Sequence, residues 1–208
     1  ARQLSLAMLL LPAVIELECV IEQHQKRGEV HRLLLHSCCA PCSSYVLEYL
    51  SNYFQITLFY YNPNIYPEEE YHTRVLEQKR LISEMPTKYP VHFMEGNYEP
   101  KKFFDMASGM EDIPEGGVRC FKCYELRLRE AALQAKKSGC DYFTTTLSIS
   151  PMKNARKLNE IGEKLQEELK VSYLNSDFKK KDGYKRSLEL SKEYHLYRQN
   201  FCGCVYSR

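Results

Sequence analysis

The stretch Arg32-Leu33-Leu34-Leu35-His36-Ser37-Cys38-Cys39-Ala40-Pro41-Cys42-Ser43-Ser44 decides the fold. A short, continuous apolar run fits a strand buried on both faces, as in a parallel sheet. Three thiols follow at once. Ser43 and Ser44 then stand where they can cap a helix running through Val46, Leu47 and Leu50. Four further runs repeat the strand signal: Gln55 to Tyr61, Val91 to Met94, Tyr142 to Leu147 and Val171 to Leu174. Helical stretches lie between them. Pro67 with Glu68, Glu69 and Glu70 suits a first turn of a helix reaching Met85. Leu128, Ala131, Ala132 and Ala135 form an apolar stripe at helical spacing. Ser150-Pro151 opens a helix ending near Leu169, and Tyr184 to Tyr194 is the last. Strands alternating with helices predict a Rossmann-like three-layer α/β sandwich with a parallel sheet of about five strands. Active sites of such sheets gather at the carboxyl ends of the strands. The first thiols, Asn62-Pro63-Asn64, Ser148 with Ser150, and Asn175-Ser176-Asp177 should therefore meet on one rim.

The composition bounds what this rim can do. The chain has 208 residues, a formal net charge of +2, 44% apolar and 27% charged residues, which excludes a mainly disordered or collagen-like chain. The expected organisation is an N-terminal helical segment over 1–30 and a single α/β domain over 31–208 with an irregular C-terminal part. Leu4 to Ile15 is nearly continuous in apolar residues, but too short to span a membrane. Only Arg2 precedes it as a basic residue, so a helix packed on the domain is expected rather than a signal segment. Near-balanced charge leaves nucleic-acid binding to local patches.

Nine cysteines are the unusual entry, and seven fall in three groups: Cys38-Cys39 with Cys42, Cys120-x-x-Cys123, and Cys202-Gly203-Cys204. Disulfide scaffolds spread cysteines through short secreted chains, whereas adjacent thiols bridge each other only with strain. Clustered thiols suit a metal and a reducing compartment, so the cytoplasm is expected. Cys120 and Cys123, three apart at the start of a helix, share one face. Alone such a pair fits zinc, redox chemistry or an iron–sulfur cluster. With the vicinal pair it makes four thiolates, which suit tetrahedral zinc or a four-iron cluster, and the vicinal spacing leans to the cluster. Cys42, Cys202 and Cys204 remain, and three protein ligands leave a metal an open position. Cys19 and Cys140 read as ordinary packing.

Lys179-Lys180-Lys181-Asp182-Gly183-Tyr184-Lys185-Arg186 carries five basic residues against one acidic. It fits a solvated loop and helix start, or a grip on a phosphate backbone. Arg198, with Tyr194 and Tyr197, fits either packing or contact with a base. Asn62, Asn64 and Arg74 flank the second strand's end. No GxxxxGK[ST], no GxGxxG and no Ser-Gly-Gly-x-Asp-Ser loop is present, so ATP use is not expected.

The chain resembles the QueH-type epoxyqueuosine reductases from about Leu33 to its end. The motifs are His36-Ser37-Cys38-Cys39-Ala40-Pro41-Cys42, Tyr61-Asn62-Pro63-Asn64-Ile65 with Glu70-Tyr71 and Arg74, Arg119-Cys120-Phe121-Lys122-Cys123-Tyr124, Thr144 to Pro151, Lys179 to Arg186, Tyr197 to Asn200, and Cys202-Gly203-Cys204. The resemblance implies an adenine-nucleotide-alpha-hydrolase-like sandwich without the phosphate loop. It implies a [4Fe-4S] cluster on Cys38, Cys39, Cys120 and Cys123, and a mononuclear iron on Cys42, Cys202 and Cys204. It implies reduction of epoxyqueuosine at the wobble position of tRNA to queuosine. Asn62, Asn64, Arg74, Ser148, Ser150, Lys179, Lys180, Lys181, Tyr184, Lys185, Arg186 and Arg198 are then the candidates for substrate and tRNA contact. No flavin or nicotinamide motif is visible, so electrons are expected from an external donor that the sequence does not name, a ferredoxin- or flavodoxin-like protein being one candidate. Two rivals remain at this point: a zinc-stabilised nucleic-acid-binding module, and a cluster-dependent sulfur-transfer enzyme.

Overall fold

A computed structural model describes residues 13–207. Strand β1 (His31–Ser37) is central in a five-stranded sheet with the order β3-β2-β1-β4-β5, and every pairing is parallel. The other strands are β2 (Phe54–Tyr60), β3 (Val91–Glu95), β4 (Tyr142–Thr145) and β5 (Ser172–Tyr173). Registry pairs Leu33 with Ile56 on one side and with Tyr142 on the other. Successive strand residues face opposite ways. Leu33 and Leu35 accordingly join one core, and Leu34 joins the second. Each buried leucine contributes about 1.5–3 kcal/mol relative to exposure, which is why the central strand reads as an unbroken apolar run.

The first core packs beneath α1 (Ala13–Arg27), α2 (Ala40–Leu50) and α3 (Glu68–Glu84), with α7 (Gly183–Glu193) against α2. The second packs beneath α5 (Val118–Lys137) and α6 (Ala155–Leu169). Helix α4 (Pro100–Ala107) leans on α5 through a third, smaller cluster built on Phe103 and Ala107. The expected three layers are therefore present. Leu17 and Ile21 of α1 enter the first core. Leu4 to Pro12 of the expected N-terminal helix lies outside the described residues. No helix of the described residues is long and apolar enough to cross a membrane.

Several element boundaries differ from the sequence expectation, each for a local reason. Helix α2 starts at Ala40 with Cys39 as its cap and Pro41 in the first turn. Ser43 and Ser44 lie inside it and donate back to the carbonyls of Ala40 and Pro41 (3.1 and 3.0 Å). The fourth strand stops at Thr145, because Thr145 Oγ1 accepts the Leu147 N–H (3.1 Å) and turns the chain into a 3-10 helix over Thr146–Ile149. Helix α6 starts at Ala155 rather than at Ser150-Pro151, and the Asn154 side chain caps it by accepting from Lys157 N–H (3.0 Å). Pro67 caps α3 instead of entering its first turn. Helix α4 carried no clear sequence signal.

Strand order reverses at β1: the chain leaves it towards β2 and returns later to β4 on its other side. The crevice beyond the carboxyl ends of β1 and β4 is the position where such sheets bind ligands. His36, fully buried there, joins three segments through Thr145 Oγ1 (2.9 Å) and the Tyr61 carbonyl (3.1 Å). Burial, with the Arg127 charge, lowers its pKa to about 4, so it is a neutral latch.

Candidate metal centre

The turn from β1 into α2 places three thiols together. Cys38 occupies the bend, Cys39 is the extended helix cap, and Cys42 lies in the first turn. The Sγ atoms of all three lie within 4.8 Å of one another, and those of Cys38 and Cys39 are 3.8 Å apart. This triad can hold a metal. Its thiols share protons unequally. Cys39 is held well below the usual thiol range by hydrogen bonds from Cys38 and Cys42, with Arg74 adding positive charge. Cys38 is pushed up to about 11, chiefly by its hydrogen bond to Cys39, and Cys42 is raised by the same two neighbours. The first thiolate of the triad therefore forms at Cys39, where unpaired helix amides also favour negative charge.

The second pair arrives on α5. Cys120 sits in its first turn, where Gly116 N–H points at the sulfur (3.3 Å). Cys123 is buried one turn on, and burial pushes its thiol up to about 11 against the opposing charge of Arg127. Cys202, Cys204 and Cys120 are among the groups acting on it.

The third pair is carried by the C-terminal strap, residues 201–207. Tyr66 N–H donates to the Gly203 carbonyl (2.9 Å), Arg74 Nη1 to the Cys202 carbonyl (3.2 Å), and Arg119 Nη2 to the Tyr206 carbonyl (3.3 Å). Gly203 has φ +98, a conformation that side chains rarely adopt. A Cβ there would also stand 3.0 Å from Ile65 and 3.1 Å from Arg74. Cys204 packs with Cys123 and Phe103, and burial raises its thiol. Cys19 and Cys140 stand apart: the first is half-buried on α1, the second is buried in the second core.

Buried cations surround the thiols. Arg74 pairs with Glu70 at 2.7 Å. Lys153 reaches both Glu115 (2.9 Å) and Cys202 Sγ (3.2 Å). Burial opposes the charge of Lys153, but Cys202 and Glu115 more than offset it and its pKa is raised. Arg127, 1% exposed, donates to the Cys123 carbonyl (3.2 Å) and Asn62 Oδ1 (3.4 Å). Tyr124 Oη and Arg74 Nη2 are buried donors without an acceptor among the described residues. Arg127, Lys153 and Glu115 were not singled out from the sequence, and Tyr124 only as the end of a motif. Helical spacing offered a signal for two of them, since Tyr124 and Arg127 lie four residues beyond Cys120 and Cys123.

A cavity of about 330 Å³ opens on this arrangement, with Cys38, Cys39, Cys42 and Cys202 in its wall. Arg74, Ser150, Tyr184 and Arg198 also line it. Asn62, Asn64 and Ser148 do not: they are buried behind the wall. Asn62 Nδ2 bonds the Ser37 carbonyl (2.8 Å), and Ser148 Oγ meets Ser176 Oγ (3.1 Å). Asn62 and Ser148 thereby hold the rim backbone, Ser148 Oγ also accepting from Phe178 N–H (3.3 Å), while Asn64 Oδ1 is buried without a partner among the described residues. In the basic segment, Lys179 pairs with Asp177, Lys181 with Glu18, and Arg186 with Glu48, Glu189 and Glu193. Lys180 and Lys185 are exposed.

Fold and site together define a thiol-centred α/β protein whose metal-competent group sits at the switch point of a parallel sheet. The family model described as "Epoxyqueuosine reductase QueH" matches residues 33–208. Proteins of that name from Staphylococcus epidermidis and Streptococcus pyogenes are 44% and 45% identical over 192 and 177 residues. These matches cover 90% and 84% of this chain and 81% and 69% of the relatives. The Thermotoga maritima protein is 34% identical over 181 residues, 84% of this chain and 89% of the relative. The chain belongs to the QueH family, as its motifs led us to expect.

Proposed function

We propose that this chain is an epoxyqueuosine reductase acting on tRNA. Two electrons and two protons convert the epoxide to an alkene, and the epoxide oxygen leaves as water. The observation that carries this is the convergence of thiols from separate segments on one cavity, with Cys38, Cys39, Cys42 and Cys202 all in its wall. The donor set fits a soft metal centre: thiolates suit iron–sulfur or zinc, and the buried donors Tyr124 Oη and Arg74 Nη2 await an anionic acceptor. In this proposal Cys38, Cys39, Cys120 and Cys123 hold a [4Fe-4S] cluster, while Cys42, Cys202 and Cys204 hold an adjacent iron. The triad supports adjacency, because Cys42 Sγ lies within 4.8 Å of two sulfurs assigned to the cluster. Such a centre, when bound, supplies single electrons and a Lewis acid at one place.

The chain's own residues do the rest. The strap, pinned by Arg74 and Arg119, carries Cys202 in the cavity wall with the α2 thiols and packs Cys204 against Cys123. Tyr184 and Arg198 border the cavity, and Lys180 and Lys185 offer exposed charge to a phosphate backbone. Lys179, Lys181 and Arg186 could join only by leaving carboxylate partners. Electrons come from an external donor of the ferredoxin or flavodoxin kind.

The test is anaerobic purification, metal analysis and visible absorption, then incubation with a strong reductant and tRNA carrying epoxyqueuosine, followed by nucleoside analysis. A brown, iron-containing protein that yields queuosine is expected. A colourless protein with stoichiometric zinc and no turnover refutes the proposal in favour of a zinc-stabilised binding module.

A further inference from the structure

One buried charge beside the thiols, Arg127, has an unusual set of neighbours. Arg74 has Glu70 and Lys153 has Glu115, so each is locally balanced by a carboxylate. Arg127 has none among the described residues. Its side chain bonds a carbonyl and an amide oxygen, both neutral. Its Nε donates to the carbonyl of Cys123, and Cys38 and Cys202 share the cavity wall with it, so a member of each thiol group stands beside it. Arg127 also lines the cavity. An uncompensated buried charge is strongly unfavourable, and thiolates drawn together by a bound metal would supply the negative charge that protonated thiols do not. Four thiolates around a four-iron core carry a net negative charge, which grows on reduction.

We infer that Arg127 is a positioning residue that supplies the counter-charge of the whole thiol centre and thereby sets its reduction equilibrium. This rests on the proposal that the thiols hold iron. A fixed positive charge favours the more negative, reduced state, so removing it favours the oxidised state. Helix α5 presents the ligands Cys120 and Cys123 and this charge on one face, so ligand placement and charge placement share one rigid element.

The experiment compares the iron-loaded wild-type chain with Arg127→Gln and Arg127→Lys. It reads iron content, unfolding temperature and the midpoint of a dye-mediated reductive titration followed by visible absorption. In Arg127→Gln the reduction equilibrium should shift at least about tenfold towards the oxidised state, which for one electron is about 59 mV. Arg127→Lys, which keeps the charge and loses the planar fork, should stay within about threefold of wild type. If Arg127→Gln does not retain iron, apoprotein titrated with cobalt(II) should still bind at least about tenfold more weakly in Arg127→Gln than in Arg127→Lys. Equal midpoints in all three proteins, or equal losses of iron and cobalt binding in both variants, overturn the inference, since geometry and not charge would then be at work. A wild-type protein holding no iron instead refutes the centre itself.

Discussion

Replacing Gly203 with alanine isolates the strap from the domain. Gly203 has φ +98, and a Cβ there would lie 3.0 Å from Ile65 Cγ1 and 3.1 Å from Arg74 Nη2. A left-handed backbone costs a non-glycine residue about 1–2 kcal/mol, before either neighbour gives way. The strap is tied to the domain by few bonds: Tyr66 N–H to Gly203, Arg74 to Cys202, Lys153 to Cys202 Sγ and Arg119 to Tyr206. A single hydrogen bond is worth about 0.5–1.5 kcal/mol net. The strain is thus comparable with one or two of the strap's attachments and small beside the two packed cores. Detachment of the strap, not unfolding of the sheet, is the cheaper relief. The unfolding temperature of Gly203→Ala apoprotein should fall by no more than about 2–4 °C. Local opening should rise about 5–30-fold, and with it the rate at which buried Cys204 reacts with a thiol reagent. Cys140, buried in the second core away from the strap, should react at the wild-type rate. Thiol kinetics resolved by mass spectrometry, together with a thermal melt, decide this. An unchanged Cys204 rate would refute the strap as a separately held element; equal acceleration at Cys140 would mean that the strain spreads into the domain.

Other expectations separate the cysteines, the charges and the buried imidazole. Cys39→Ser should lower iron content below half of wild type and Cys140→Ser should leave it unchanged, as read by metal analysis of anaerobically purified protein. Lys180→Ala with Lys185→Ala should weaken tRNA binding and flatten its logarithmic salt dependence by about 2. Arg186→Gln, which loses Glu48 and Glu189, should show mainly in stability; filter binding across a salt series distinguishes the two. Burial, with the nearby His31, lowers the His24 pKa below 6.5. The unfolded chain therefore binds the proton more readily, and stability is greatest above the ordinary imidazole pKa and falls as pH drops through it. Urea midpoints between pH 7.5 and 5.5 should fall less steeply in His24→Phe than in wild type, and parallel curves would exclude His24 as a source of that dependence.

The strands and the thiols were legible because each obeys a short-range rule. Leu33 to Leu35 are continuous in sequence because both faces of β1 are buried, and Cys38, Cys39 and Cys42 are close in sequence because one turn presents all three. Boundaries were less legible where a side chain competes with the backbone. Thr145 ends β4 by bonding its own neighbour two residues on, although the apolar run continues to Leu147. Ser43 and Ser44 resemble caps, yet Cys39 and Pro41 had already begun the helix. Asn62 and Ser148, candidates for substrate contact, lie buried behind the cavity wall for a similar reason. Polar residues at strand ends satisfy the turning backbone as readily as they meet a ligand, and composition does not distinguish the two.

The cations were the least legible part, and the reason is electrostatic. A buried arginine is written in the same letter as an exposed one, and chains carry far more of the latter. What marks Arg127 is the absence of a carboxylate beside it among the described residues, and its place next to Cys123 in a cavity wall shared with Cys38 and Cys202. The basic segment from Lys179 to Arg186 shows the converse. It stood out in sequence as a dense run of charge, but Asp177, Glu18 and Glu48 take up much of that charge in the folded chain. Charge density along the chain overstated the exposed patch and understated the buried one. For this fold, then, a buried arginine four residues beyond a cysteine on the same helix is a better guide to the cavity than a run of lysines in a loop.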